Sequence, residues 1–150
     1  MTELNWCDKY AVGVEAIDGE HKELFEAVQA LEAAMARSAQ PEEMGQLLTR
    51  LSASTASHFA EEEAMMRGAK YPGLAIHLAN HKRLMEKVEA FTARHGRNGA
   101  QVNQHALNFL RDWLLHHIEN DDARLGSWFK DRSRDSALSG NVAAQNGRSF

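Results

Sequence analysis

Apolar side chains recur along this chain at three- and four-residue spacing, and that period is the signature of amphipathic helices. Leu24, Val28, Leu31 and Met35 form one stripe, with Asp18 placed to cap its start. Pro41 opens a second helix whose first turn carries Glu42 and Glu43 near the positive end of the dipole. Met44, Leu47, Leu51 and Met65 then share one face until Gly68. Pro72 and Gly73 separate it from a third stripe, Leu74, Leu84, Val88 and Phe91, stopping near Gly96. A turn at 96–99 leads to a fourth helix, which carries Val102, Ala106, Phe109, Leu110 and Trp113 and runs to about Asp121. β-Branched residues are few and good helix formers abound, so no strand is expected.

Short connections between long helices predict antiparallel neighbours, and hence an all-α, up-down four-helix bundle. The bundle is expected over residues 1–130, with an irregular N-terminal arm containing Trp6 and Tyr10. Residues 131–150 are rich in Ser, Asn, Gly and Ala without a period and read as a disordered tail. A chain of 150 residues suits one domain that buries its own core.

Charge narrows the partners. Lys and Arg number 17 against 21 Asp and Glu, a formal net charge of −4, which argues against nonspecific binding to nucleic acid or anionic membranes. Cys7 is the only cysteine, so neither an intramolecular disulfide nor a thiolate metal site is expected. Its place in the irregular arm reads as a structural or exposed thiol and not an activated one. No apolar run approaches the ~18 residues of a membrane span, and the first residues lack a signal-peptide core. A soluble, monomeric, cytoplasmic protein is the expectation.

The informative residues are those that interrupt the apolar stripes. The chain carries eight histidines, and five fall where a core residue should be. His21 precedes Leu24 by three; His58 continues the Leu47–Leu51 stripe, with Glu62 four residues on. His77 and His81 fill the gap between Leu74 and Leu84, and His117 follows Trp113 by four. Residues four apart on a helix diverge by only ~40°, so every helix aims at least one imidazole at the common axis. A lone histidine on an apolar face is ordinarily a core residue with one satisfied hydrogen bond. Five together are different, because each imidazole buried without a partner costs about 1–3 kcal/mol. A bound cation resolves this by accepting a lone pair from each ring.

Five imidazoles, Glu62 and an Asp near the end of the fourth helix exceed the four donors of a structural zinc, and nitrogen donors do not suit calcium or magnesium. Two six-coordinate ions sharing bridging carboxylates fit the count, and imidazole with carboxylate suits iron. The ferritin-like bundle site needs two Glu-x-x-His pairs, and this sequence has none. Asp121 lies on the His117 face of a regular helix, whereas Asp122 stands ~140° away, so both remain candidates on spacing.

These residues occur in motifs: Ile-Asp-Gly-Glu-His at 17–21, His-Phe-Ala-Glu-Glu at 58–62, His-Leu-Ala-Asn-His at 77–81 and His-Ile-Glu-Asn-Asp-Asp at 117–122. Together, in order from Trp6 to about Phe129, they resemble the bacterial hemerythrins, di-iron proteins that bind dioxygen reversibly. The resemblance implies that His77, His81 and His117 hold one iron and that His21 and His58 hold the other. Glu62 and Asp122 would bridge them alongside a solvent-derived oxo or hydroxo group, with dioxygen taken at the remaining vacancy. The family's His, four residues, Asp pattern selects Asp122, which requires the helix to distort or end there. It also implies that Leu24, Phe59, Trp113, Leu114 and Ile118 line a dry oxygen pocket, besides packing the core. Leu125 stands where family members commonly carry a Tyr, which alters packing at that end of the bundle.

His95, His105 and His116 match no ligand of the family and read as solvent-facing, as do Glu61 and Glu63 beside Glu62. Storage of dioxygen, or its delivery to an oxygen-accepting protein, is the expected function, and no catalysis is expected. The alternatives are oxygen or redox sensing, and reduction of nitric oxide or peroxide at the same di-iron pair.

Overall fold

The computed structural model describes residues 5–98 and 103–146, with 95–98 and 135–146 as backbone only. Helix α1 spans Glu15–Ala36, α2 Pro41–Ala69, α3 Leu74–Asn98 and α4 Gln104–His117. A π-helical turn at Ile118–Asp122 then joins α4 to α5, Ala123–Asn146. Helix α1 packs on α2, α2 on α3, α3 on α4, and α4 returns to α1, which closes the bundle. No strand occurs among the described residues. No helix among them is long and apolar enough to cross a membrane.

The helix ends follow from local chemistry. Pro41 occupies the first turn of α2, where its missing N–H costs nothing, and Lys70 ends that helix in the left-handed region at φ 57°. The Asn103 side chain accepts the Ala106 N–H and caps α4. Asp18 acts differently from the expected N-cap. Helix α1 begins earlier, at Glu15, and the Asp18 carboxylate reaches back to accept the N–H groups of Val12 and Gly13 at 2.8 and 3.2 Å. It thereby ties the arm to the helix.

That arm is irregular apart from a 3-10 turn at Asp8–Tyr10, and aromatic packing holds it. Trp6 meets Phe25 edge-on at 5.3 Å between ring centroids, and Tyr10 lies 5.0 Å from the same ring. Further along, a Cβ on Gly126 would stand 2.2 Å from the Val12 carbonyl oxygen, so this glycine admits the arm against α5. Leu125 is fully buried with Val12, Ile17 and Met66 in a small cluster at this end.

The larger core runs from Leu24, Phe25, Val28 and Leu31 through Leu48, Leu51 and Leu84 to Leu107, Leu110 and Leu114. Three expected stripe positions shift. Leu48 and Met66, rather than Leu47 and Met65, are buried on α2, because each lies four and not three residues beyond another inward side chain, Met44 and Glu62. On α4 the buried line is Leu107–Leu110–Leu114, which leaves Phe109 one residue off the face and 48% exposed. The Lys87 ammonium covers the Phe109 ring at 4.8 Å. Val102 lies outside the described residues.

Two boundaries are corrected. The third helix does not stop at Gly96 but continues to Asn98, so the turn expected at 96–99 begins later, with Gly99 outside the described residues. The fourth helix does not end near Asp121, and the segment read as a disordered tail is helical backbone as far as Asn146. Ala, Arg, Leu and Lys among residues 123–138 sustain helix without needing an apolar stripe.

Candidate metal centre

Each helix of the bundle delivers donors to one buried point. His21 comes from α1, His58 and Glu62 from α2, His77 and His81 from α3, and His117 with Asp122 from α4 and its π turn. All seven side chains are at most 3% exposed. Their donor atoms form two groups sharing both carboxylates: Glu62, His77, His81, His117 and Asp122 on one side, and His21, His58, Glu62 and Asp122 on the other. Within each group the atoms lie within 4.8 Å of one another.

The π turn decides which aspartate takes part. In a regular helix Asp121 would lie under His117; one extra residue in the turn brings Asp122 there instead. Asp122 is fully buried, with Oδ1 3.2 Å from His117 Nε2 and Oδ2 2.7 Å from His21 Nε2. Asp121 falls outside the cluster and accepts from His117 Nδ1 at 2.9 Å. The helix therefore distorts and continues. Glu62 similarly spans the groups, with one oxygen 2.5 Å from His77 Nε2 and the other 3.0 Å from His58 Nε2.

The donors suit a cation better than they suit one another. The Nε2 atoms of His81 and His117 face each other at 3.1 Å, where one proton at most can sit between them. His21 Nε2, His58 Nε2, His77 Nε2 and all four carboxylate oxygens of Glu62 and Asp122 are buried yet make no well-directed hydrogen bond. So many orphaned atoms aimed inward would be costly in a merely structural core. Two cations between shared carboxylates would satisfy them all.

Without metal, protons must hold the charges apart. Burial works against the charged forms throughout, but the pairing outweighs it: Asp122 and Glu62 bring His77 up to about 9, and Asp122 with Asp121 brings His117 up to about 10. Burial and the Asp122 carboxylate raise Glu62, yet contacts with His58, His77 and His81 bring it down to about 2. Asp122, also raised by burial, is pulled well below its ordinary range, most of all by His117.

The surroundings are apolar. Leu24, Phe59, Leu114 and Ile118 are buried, and Phe59 stacks on the His81 ring at 3.8 Å with an interplanar angle of 6°. Trp113 is only partly buried and packs on the outer edge of the core, under the Lys87 ammonium at 5.2 Å. His105 and His116 are exposed, and the His95 side chain lies outside the described residues. Cys7 is free and exposed.

Two acids that the sequence pattern does not assign to the site lie against the cluster. Glu20 sits 2.5 Å from His58 Nδ1 and Glu63 3.0 Å from His81 Nδ1. Each partner is on a different helix, so no spacing along the chain marks the pair. A cleft of about 430 Å³ between α1 and α2, lined by Glu20, Glu23, Ser54, Ser57 and Glu61, reaches the outer side of His58.

A helical bundle enclosing two donor sets that share carboxylates defines a non-haem dinuclear metal protein. Residues 12–129 match the family profile described as the Hemerythrin HHE cation binding domain. The chain is 31% identical over 122 residues to the bacteriohemerythrin of Stenotrophomonas maltophilia (strain R551-3), covering 81% of this chain and 78% of that one. It is 32% identical over 117 residues to myohemerythrin-1 of Phascolopsis gouldii, covering 78% and 87%. A crystal structure of wild-type hemerythrin superposes with a TM-score of 0.78 at 29% identity, covering 84% of this chain and 97% of that one. This chain belongs to the hemerythrin family and is a di-iron, oxygen-binding protein.

Proposed function

We propose that the protein binds dioxygen reversibly for storage or delivery, acting as a carrier and not as an enzyme. In this reading His77, His81 and His117 hold one iron, His21 and His58 hold the other, and Glu62 and Asp122 bridge them. Bound there, a ferrous pair would supply the two electrons that dioxygen takes up on binding and gives back on release. The observation that carries the proposal is the dry wall beside an incomplete donor set. The group with His21 and His58 has one imidazole fewer than its neighbour, which leaves room for a small ligand.

In this reading Leu24, Phe59, Leu114 and Ile118, which belong to one buried cluster, line that position, with Trp113, partly buried against the same cluster, at its outer edge. Their role is exclusion. Reversible binding needs protons, water and reductants kept away from the bound ligand, and buried aliphatic and aromatic side chains offer neither donors nor a wet path. Five neutral imidazoles with two carboxylates also leave two divalent ions with a modest net charge, which a low-dielectric shell tolerates. We further infer a monomer working in the cytoplasm, where an exposed free thiol such as Cys7 stays reduced.

The test is anaerobic reduction followed by alternate oxygenation and argon flushing while the visible spectrum is recorded. Repeated recovery of both spectra is expected. A one-way change accompanied by turnover of nitric oxide or peroxide would replace the carrier reading with an enzymatic one.

A further inference from the structure

We propose that Glu20, Glu63 and Asp121 are positioning residues that each lock one metal-binding imidazole, and that their uneven distribution makes the two iron positions unequal in how long they retain metal. The inference rests on the division of ligands proposed above.

Each of these acids touches only the Nδ1 side of its ring. Glu20 accepts from His58 at 2.5 Å, Glu63 from His81 at 3.0 Å and Asp121 from His117 at 2.9 Å. With the Nδ1 proton so engaged, the lone pair is left on Nε2, the atom each of these rings presents to the cluster. The contact also stops rotation about the last side-chain bond and strengthens the ring as a donor. Asp121 is itself anchored by the Asn80 amide, which donates to it at 3.0 Å.

The two donor groups are served differently. Two of the three imidazoles on the His77 side have such an acid. On the other side only His58 has one, because His21 Nδ1 is buried with no hydrogen-bond partner. His21 is instead flanked by Trp6, with ring centroids 6.5 Å apart, and an indole face cannot fix the tautomer as a carboxylate does. The cleft of about 430 Å³ also reaches His58 from solvent, so this is the side a competing ligand meets first. The ion held by His21 and His58 is therefore the first to leave.

The experiment is anaerobic release of ferrous ion from the loaded full-length protein to a chromogenic chelator. Release is expected in two phases of equal amplitude. Glu20→Ala should quicken the fast phase alone, and Glu63→Ala the slow phase alone, each by about 10–100-fold. Glu63→Gln, whose amide oxygen still accepts the Nδ1 proton, should restore most of the lost retention. Thermal melting of the metal-free Ala variants should match the parent, which separates positioning from folding. The proposal is overturned if either Ala variant releases both ions at the parental rates, or if one substitution quickens both phases equally. A parent that binds fewer than two ferrous ions would defeat the di-iron reading itself, a result distinct from either of these.

Discussion

Asp122 lies against His117, with Oδ1 3.2 Å from Nε2, only because the five residues Ile118–Asp122 wind as a π turn. That one irregularity exchanges the roles of two neighbouring aspartates. Asp122 enters the cluster, and Asp121 moves to the outer side of the same imidazole. Asp122→Asn should therefore lose metal at saturation, while Asp121→Ala should still bind two ions and quicken only the release of the ion that His117 holds. Metal analysis of the purified variants checks this, and the opposite ranking would make Asp121 the bridging group.

The two donor groups should fail separately. His58→Ala removes one of two imidazoles from the smaller group and should cost one iron per chain. His77→Ala lies next to both carboxylates, 2.5 Å from Glu62 and 3.1 Å from Asp122, and should abolish most binding. Iron content after anaerobic loading gives the answer. Full occupancy in both variants would reject the assignment.

Titration of the metal-free protein should show a bounded optimum. His77 and His117 are raised to about 9 and about 10, so their contribution is complete below 6.5 and disappears as pH climbs through those values. Glu62 is lowered to about 2, so its contribution is present above 4.5 and is lost as pH falls towards 2. Denaturant midpoints of the metal-free chain should peak between these limits. Because both histidines are protonated at pH 7, iron loading there should also release protons, seen as acidification in weak buffer. Loading without proton release would contradict the pairing.

The dry wall can be breached deliberately. Leu114→Asp or Ile118→Asn places a polar group among buried apolar side chains beside the cluster. Water admitted there should speed irreversible oxidation of the oxygenated protein by an order of magnitude or more, about 1.4 kcal/mol of barrier per tenfold. The measurement is the decay of the oxygenated spectrum in air, and decay at the parental rate in both variants would remove these residues from the pocket.

Gly126→Ala tests the seat of the arm. Its Cβ would meet the Val12 carbonyl oxygen at 2.2 Å, so the arm must move away from α5. A loss of about 1–3 kcal/mol is expected in chemical denaturation, with two irons still bound. Unchanged stability would mean that the arm gives way at no cost.

The helical fold and six of the seven inward donors are legible in the sequence because both depend on local period. A histidine at a stripe position must face the core whichever neighbour covers it, so His21, His58, His77, His81 and His117 declared themselves without a structure. So did Glu62, one turn beyond His58. Asp122 was legible only through the family's pattern, since ideal helical geometry favours Asp121. The continuation of the last helix past 130 is not legible because it carries no apolar period, and the burial of Leu48 and Met66 is not because spacings of three and four fit a helical face equally well. Glu20 and Glu63 were out of reach for a different reason. Their partners lie on neighbouring helices, and the contact depends on how far one helix slides and turns against the next. Period along a chain sets which way a side chain points; only the packing of helices decides what it meets there.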